Sequence, residues 1–202
     1  MTEAKFTPAY DNKIAQKYSK KTIQNKEKNK IAFLQDVGLS YDKKIPLVCI
    51  TYPLTDKNNV GQIVDTLGGI LEQPVLLVIR GIGTEKFQKT FTDLAAGHSK
   101  QVVIQPDNEE IKRKIYAASD MIFVSSDSSE CIQEAKNAAA YGVVPVMPAA
   151  DFAENYDPIY ERGNAFIYSK GSPWGFFAAF IRALENFRFP YDWKNIQVNA
   201  ML

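Results

Sequence analysis

The sequence predicts an α/β fold with a doubly wound parallel sheet, and two observations carry that prediction. Between residues 45 and 169, short apolar segments alternate with longer amphipathic ones, which is the pattern of βαβ units. The short segments are apolar throughout, which is typical of parallel strands covered by helices on both faces. Because parallel crossovers are right-handed, we expect an open, Rossmann-like sheet in a single domain over residues 1–202.

The elements follow in order along the chain. Residues 1–21 are rich in lysine and predict an irregular N-terminal arm. A helix follows from about Thr22, and Gly38 is suited to cap its end. Strands are predicted at 45–52, 74–79, 101–105, 121–125, 143–147 and 165–169. Helices are predicted at 57–72, 84–96, 107–119 and 130–142, with closing helices inside 172–202.

Composition excludes several classes of function. A net charge of +1 gives no field that favours nucleic acid or anionic lipid. No stretch reaches the roughly 20 apolar residues of a membrane span, and the polar N-terminus is no secretory signal, so we expect a cytoplasmic protein. Two distant cysteines, Cys49 and Cys131, and the single His98 make no metal-ligand set. We therefore expect no metal and no resident cofactor.

Several segments, taken together, resemble one known family. They are TPAYDNKIAQKYS, NKEKNKIAFLQDVGL, RGIGTEKFQKTFTDLA, ECIQEAKNAAAYGVVPVM and DWKNIQVNAML. In order and spacing they resemble the C-terminal, nucleotide-sugar-binding domain of bacterial glycogen synthases and plant starch synthases, which are GT-B glycosyltransferases. The resemblance runs from about Thr7 to Leu202. It implies that the chain has the C-terminal half of a GT-B fold.

The resemblance also implies where a sugar-nucleotide site would lie. At most of the family's binding positions, this sequence has a residue of different chemistry. In the family an arginine and a lysine five residues apart clamp the diphosphate. Here Lys57 stands at the lysine position, but Tyr52 stands at the arginine position and cannot supply a bidentate cation. Ser129 stands where the family has the glutamate that contacts the donor sugar, and Asp151 adds negative charge where the family has glycine. No catalytic set is intact.

Five residues remain as candidates for binding a nucleotide, by position in the resembled family. They are Lys57, Gly81, Gly83, Glu130 and Cys131. Each has a plainer interpretation. Lys57 suits a solvated helix start, Glu130 a helix cap, and Cys131 core packing instead of a thiol with a lowered pKa near a helix N-terminus. The glycines would serve a turn.

We therefore expect a catalytically degenerate glycogen-synthase-like domain, a pseudoenzyme that binds ADP-glucose, ADP, a glucan or a protein partner weakly at most. The alternative is the donor-binding half of a split or truncated ADP-glucose-dependent α-1,4-glucan glycosyltransferase. Tyr10 and Tyr18 in the arm, and Trp174 in the helix over 172–187, could stack on sugar rings, but packing against the domain is the expected role.

A domain without its acceptor half should also expose apolar side chains where that half would pack. The candidates are Tyr52, Phe152, Tyr156, Trp193 and Leu202. We expect this face either to form a homodimer or to be covered by the N-terminal arm.

Overall fold

The computed structural model describes residues 7–201. Its strands are β1 (Leu47–Ile50), β2 (Leu76–Arg80), β3 (Val102–Gln105), β4 (Met121–Phe123), β5 (Val144–Pro148) and β6 (Phe166–Tyr168). A 3-10 helix, Lys20–Asn25, leads into α1 (Lys26–Asp36). The other helices are α2 (Gly61–Val64), α3 (Leu67–Leu71), α4 (Glu85–Gly97), α5 (Glu109–Ala118), α6 (Ser129–Ala139), α7 (Pro173–Phe187) and α8 (Pro190–Ala200).

All six strands pair in parallel, in the order β3-β2-β1-β4-β5-β6. The predicted Rossmann-like fold is therefore confirmed. Strands β1 and β4, at the centre, are fully buried, because helices cover both faces of the sheet. Chain direction across the sheet reverses at β1 and β4, which makes the gap between them the topological switch point.

The predicted helix over 57–72 is wrong in its continuity. The chain forms a loop up to residue 60 and then two short helices, α2 and α3. At the break between them, the Thr66 hydroxyl donates to the carbonyls of Gln62 and Ile63, at 3.1 and 3.0 Å. Such local bonds compete with helix propagation, and the Gly68-Gly69 pair that follows has low helix propensity.

Helix α7 packs mainly as expected, with one exception. Phe176 and Phe180 meet the ring of Phe123 from β4 edge to face, with centroids 4.9 and 5.2 Å apart. These contacts join α7 to the centre of the sheet. Trp174 at the start of the helix is 78% exposed, so the prediction that it packs on the core is wrong.

Three polar residues of α1 act as internal anchors. The Lys26 ammonium donates to the carbonyls of Tyr116 and Ala117 at the end of α5, at 2.7 and 3.0 Å. The Asn29 amide is bonded to both the N–H and the carbonyl of Gln16. Because Lys26 and Asn29 form their hydrogen bonds inside the domain, this part of the resembled sequence stabilises the fold.

The third anchor is the buried ion pair Lys30–Asp120. The Lys30 Nζ lies 2.7 Å from Asp120 Oδ2 and 2.6 Å from the carbonyl of Ile45. The same carboxylate oxygen accepts the N–H of Leu47 at 2.8 Å. Backbone bonds from Asp120 to Leu47 O and from Val144 to Asp120 O extend the contact. The pair thus aligns the amino ends of β1, β4 and β5.

The N-terminal arm lies against α1 and α5, away from the carboxyl ends of the strands. The Tyr18 hydroxyl donates to the carbonyl of Tyr141, in the turn before β5, at 2.8 Å. Lys13 pairs with Glu110 of α5, and Asp11 with Arg113. The expectation that the arm covers the ligand face is therefore wrong for its described part.

We predict that Asp120→Asn lowers the free energy of unfolding by about 3–5 kcal/mol, because it leaves the Lys30 ammonium buried without its counter-charge. Urea unfolding measures the difference. Adding Lys30→Met to Asp120→Asn should recover part of the loss. As a surface control, Lys43→Met breaks the exposed 3.9 Å pair with Glu27 and should change stability by no more than about 1 kcal/mol. Equal losses in the Asp120 and Lys43 variants would contradict the anchor role.

Candidate functional site

The switch point places the loops after β1 and β4 side by side at the carboxyl edge of the sheet, where ligands bind in folds of this kind. Tyr52 follows β1 there and Ser125 follows β4. The Tyr52 hydroxyl shares a 2.8 Å hydrogen bond with Ser125 Oγ and accepts the Ser125 N–H at 3.1 Å. Tyr52 has no exposed surface, and burial raises the pKa of its phenol well above its usual value. A neutral ring therefore fills the centre of the crevice.

Asn58 fastens the loop after β1 to the loop after β4. Its carbonyl accepts from Ser125 Oγ at 2.5 Å, and its Oδ1 accepts from Ser128 Oγ at 2.7 Å. Its Nδ2 donates to the carbonyl of Pro53 and to Glu130 Oε2, at 2.8 and 3.0 Å. Asn58 itself is fully buried. Its backbone and side-chain amide groups thus bond only within the domain.

The network continues through Gln62 of α2 to Tyr168 of β6, the strand at one edge of the sheet. The Gln62 Nε2 donates to the Ser125 carbonyl at 2.9 Å and to the Tyr168 hydroxyl at 2.5 Å. That hydroxyl donates in turn to the carbonyl of Val124 at 2.7 Å. Side chains from α2, β6 and two loops therefore occupy the crevice.

Lys57 and Glu130, two of the predicted binding residues, lie together at the mouth of the crevice. The Lys57 Nζ is 3.7 Å from Glu130 Oε1, and the two side chains are 71% and 44% exposed. The structure thus brings these two candidates together, but as an ion pair. An exposed pair of this kind is weak by itself, but the Glu130 carboxylate is also held by the Asn58 side-chain amide at 3.0 Å. A phosphate at this position would meet a lysine already neutralised by a carboxylate.

The predicted glycines serve close backbone packing. Gly83 has a φ of +148°, and a Cβ there would lie 2.3 Å from the carbonyl oxygen of Leu54. Leu54 N donates to Ile82 O at 2.8 Å, and Thr84 N donates to Leu54 O at 3.0 Å. At Gly81 a Cβ would lie 3.1 Å from a methyl carbon of Ile104. The two loops thus pack on each other where the resembled family would place a ligand-binding turn.

Cys131 and Ser129 lie in the first turn of α6. Ser128 is the N-cap, and its Oγ accepts the Cys131 N–H at 3.2 Å. Cys131 is buried, and burial raises the pKa of its thiol, which favours core packing over a thiol activated by the helix N-terminus. Ser129 is exposed. A first turn capped by its own serine, with Glu130 beside it, disfavours an anion.

Shallow cavities flank the filled crevice on either side. One of about 520 Å³ lies next to Asp127 and Lys170, whose side chains pair across it at 2.7 Å. The other, of about 510 Å³, lies between Pro53, Arg80 and Ser129. Within residues 7–201 no group of three or more His, Cys, Asp or Glu side chains is arranged to hold a metal ion. The same residues include no helix with the length and apolar character that crossing a bilayer needs.

The expected exposed apolar face is not formed by the residues chosen for it. Tyr52, Tyr156 and Trp193 are at most 5% exposed, and Phe152 is half-buried. Leu202 lies outside the described residues. The sequence also did not single out Asn58, Gln62 and Tyr168, which build the network together with Ser125. Their only signal is that amides and hydroxyls follow the predicted strands.

Comparison with known proteins points to one family, although no family model matches the chain. Glycogen synthase from Syntrophotalea carbinolica is 30% identical over 201 residues, and glycogen synthase 1 from Synechocystis is 26% identical over 202. Both comparisons cover 97% of this chain. The chain spans only 42% of the length of these relatives.

Solved structures give the same result for the fold. The catalytic domain of starch synthase IV from Arabidopsis thaliana, solved with ADP and acarbose, superposes with a TM-score of 0.83 at 23% identity. It covers 97% of this chain, which spans 42% of that one. The C-terminal domain of a group 1 glycosyl transferase from Francisella tularensis gives a TM-score of 0.65 at 15% identity, covering 97% and 92%.

These matches agree with the Rossmann-like fold described above. The chain is therefore homologous to the C-terminal half of the glycogen synthases, and it has the C-terminal-domain fold of a GT-B glycosyltransferase, which it shares with a starch synthase.

Proposed function

We propose that this chain is a glycogen-synthase-type domain whose nucleotide-sugar site is closed, so that it binds ADP-glucose or ADP weakly at most and transfers no glucose. One observation carries the proposal. Tyr52, at the position where the resembled family has its phosphate-binding arginine, is fully buried and bonded to Ser125 across the switch point. A ligand at this place would have to displace the ring and break the network.

The charges at the site support the same conclusion. Transfer from a sugar diphosphate needs fixed positive charge on the leaving phosphate. Near the crevice mouth, Lys57 is paired with Glu130. Losing one charge-assisted bidentate contact, worth about 1.5–3 kcal/mol, lowers affinity by roughly one to two decades.

A second function has one observation in its favour. The Lys57 side chain is 71% exposed at the mouth of the crevice, where it could reach a phosphate if Glu130 moved away. This is the arrangement that the donor-binding half of a split or truncated glucosyltransferase would need. Under that alternative, Lys57 would carry much of the affinity for ADP-glucose.

We predict that ADP-glucose binds this chain more weakly than about 100 µM, because the bidentate cation is missing. Isothermal titration calorimetry measures the constant. Lys57→Ala should leave the weak heat signal unchanged, and Lys89→Ala, an exposed lysine on α4, is its matched control. A low-micromolar constant that Lys57→Ala abolishes and Lys89→Ala preserves would support the donor-binding alternative and contradict our proposal.

We also predict that the purified chain neither releases ADP from ADP-glucose nor extends a glucan primer. The physical reason is that Tyr52 and Ser129 provide neither the phosphate cation nor the sugar-contacting carboxylate of the resembled family. A coupled ADP assay and gel analysis of labelled glucan would detect turnover. Turnover above a no-protein control, lost in Lys57→Ala and kept in Lys89→Ala, is the outcome that would refute the prediction.

A further inference from the structure

A second cavity lies at the amino ends of the strands, the edge opposite to the candidate site. It has a volume of about 850 Å³ and is bounded by α1, the segment 41–45 and the junction of α7 with α8. Sites for small molecules in proteins typically have volumes of about 300–1,000 Å³. The cavity is therefore large enough for a compact organic ligand.

Aromatic and aliphatic side chains make up much of its wall. Tyr41, Ile45, Phe187 and Trp193 are among them. Trp193 packs edge to face on Phe187, with ring centroids 5.2 Å apart, and only 5% of it is exposed. Its indole N–H has no hydrogen-bond partner among the described residues. The wall therefore presents aromatic faces on which a flat apolar group can pack.

The carboxylates of the cavity are already engaged. Asp120 Oδ2 lies 2.7 Å from Lys30 Nζ, and Glu27 Oε1 lies 3.9 Å from Lys43 Nζ. The third carboxylate, Asp42, accepts a hydrogen bond from the backbone N–H of Lys44 at 2.8 Å. The wall carries six basic side chains against these three carboxylates, so its net charge favours an anionic ligand over a cationic one.

Three basic side chains of the same wall form no ion pair with a described residue. Lys44, Arg188 and Lys194 are exposed, and none of them forms an ion pair with another described residue. They come from the segment 41–45, the end of α7 and α8, on separate parts of the wall. The cavity thus combines an aromatic wall with unpaired positive charge, which is complementary to an anion with an apolar body.

We propose that this cavity binds a small organic anion with a flat apolar body, such as an aromatic carboxylate, sulfonate or phosphate ester. Its aromatic part packs on Phe187 and Trp193, and its acidic group contacts Arg188 and Lys194. This site is separate from the carboxyl edge of the sheet, so it stands whether or not that edge binds a nucleotide. An acidic peptide is the competing occupant, and the cavity volume favours the small molecule.

The probe is 8-anilinonaphthalene-1-sulfonate, a flat aromatic anion, titrated into the whole native chain and followed by calorimetry. We expect one molecule to bind per chain, with a dissociation constant of roughly 10–100 µM. The uncharged N-phenyl-1-naphthylamine, which keeps the rings and lacks the sulfonate, should bind at least tenfold more weakly.

The variants locate the probe. Arg188→Glu with Lys194→Glu should weaken sulfonate binding at least tenfold, while the matched pair Lys89→Glu with Lys100→Glu, also exposed lysines, should leave it unchanged. Gln197 is a half-buried residue of the cavity wall. Gln197→Trp should therefore fill part of the cavity with an indole ring and abolish binding. Melting temperatures of all variants, measured in parallel, show that each is folded.

Several results would overturn the proposal. They are no saturable binding, more than one sulfonate per chain, equal binding by the uncharged analogue, or equal losses in the two charge-reversal pairs. A decaglutamate peptide that binds more tightly than the sulfonate, and that Gln197→Trp does not block, would assign this surface to an acidic partner instead.

Discussion

The structure depends on a constraint at the centre of its sheet. Where the loops after β1 and β4 part, buried backbone groups need hydrogen-bond partners, supplied either by a ligand or by the chain itself. In this chain Ser125 is the centre of that arrangement. Its N–H bonds to Tyr52, its carbonyl accepts from Gln62, and its hydroxyl donates to the carbonyl of Asn58. These polar groups are therefore satisfied before any ligand arrives.

The two edges of the sheet consequently differ in chemistry. At the carboxyl edge, the crevice is filled by neutral hydrogen-bonding side chains, and the exposed Lys57 at its mouth is paired with Glu130. At the amino edge, the buried pair Lys30–Asp120 aligns three strands, while the cavity beside it keeps unpaired cations at its rim. The fold is that of a GT-B domain, and the site that we propose for a small organic anion lies at the other edge of the sheet.

Much of the fold could be predicted because the sheet is apolar in long, uninterrupted runs. The strand predicted at 45–52 is Leu47–Ile50 in the structure, and the helix predicted at 107–119 is Glu109–Ala118. Periodicity alone could not predict that the helix over 57–72 is interrupted, because the break at Thr66 comes from a local side-chain bond. Periodicity also gave no sign that Trp174 is exposed.

The candidate site was harder to predict, because its contacts join distant parts of the chain. Resemblance to a family identified Tyr52, Lys57 and Glu130 as the positions to inspect. It could not show that Tyr52 is buried or that the two charges pair. Tyr156 and Trp193 were expected at the surface, yet they pack on either side of Phe166. That stacking depends on where α8 and β6 meet, which local sequence does not encode.

Amide hydrogen exchange at Ser125, resolved by NMR with and without millimolar ADP, tests the central claim most directly. If the Tyr52–Ser125 contact closes the crevice, this amide exchanges slowly in the free chain and ADP does not change its rate. Tyr52→Phe, which removes the acceptor, then speeds exchange at Ser125 while leaving the β2 amides unchanged. Fast exchange of Ser125 in the free chain, slowed by ADP, would show an open nucleotide site and contradict the account.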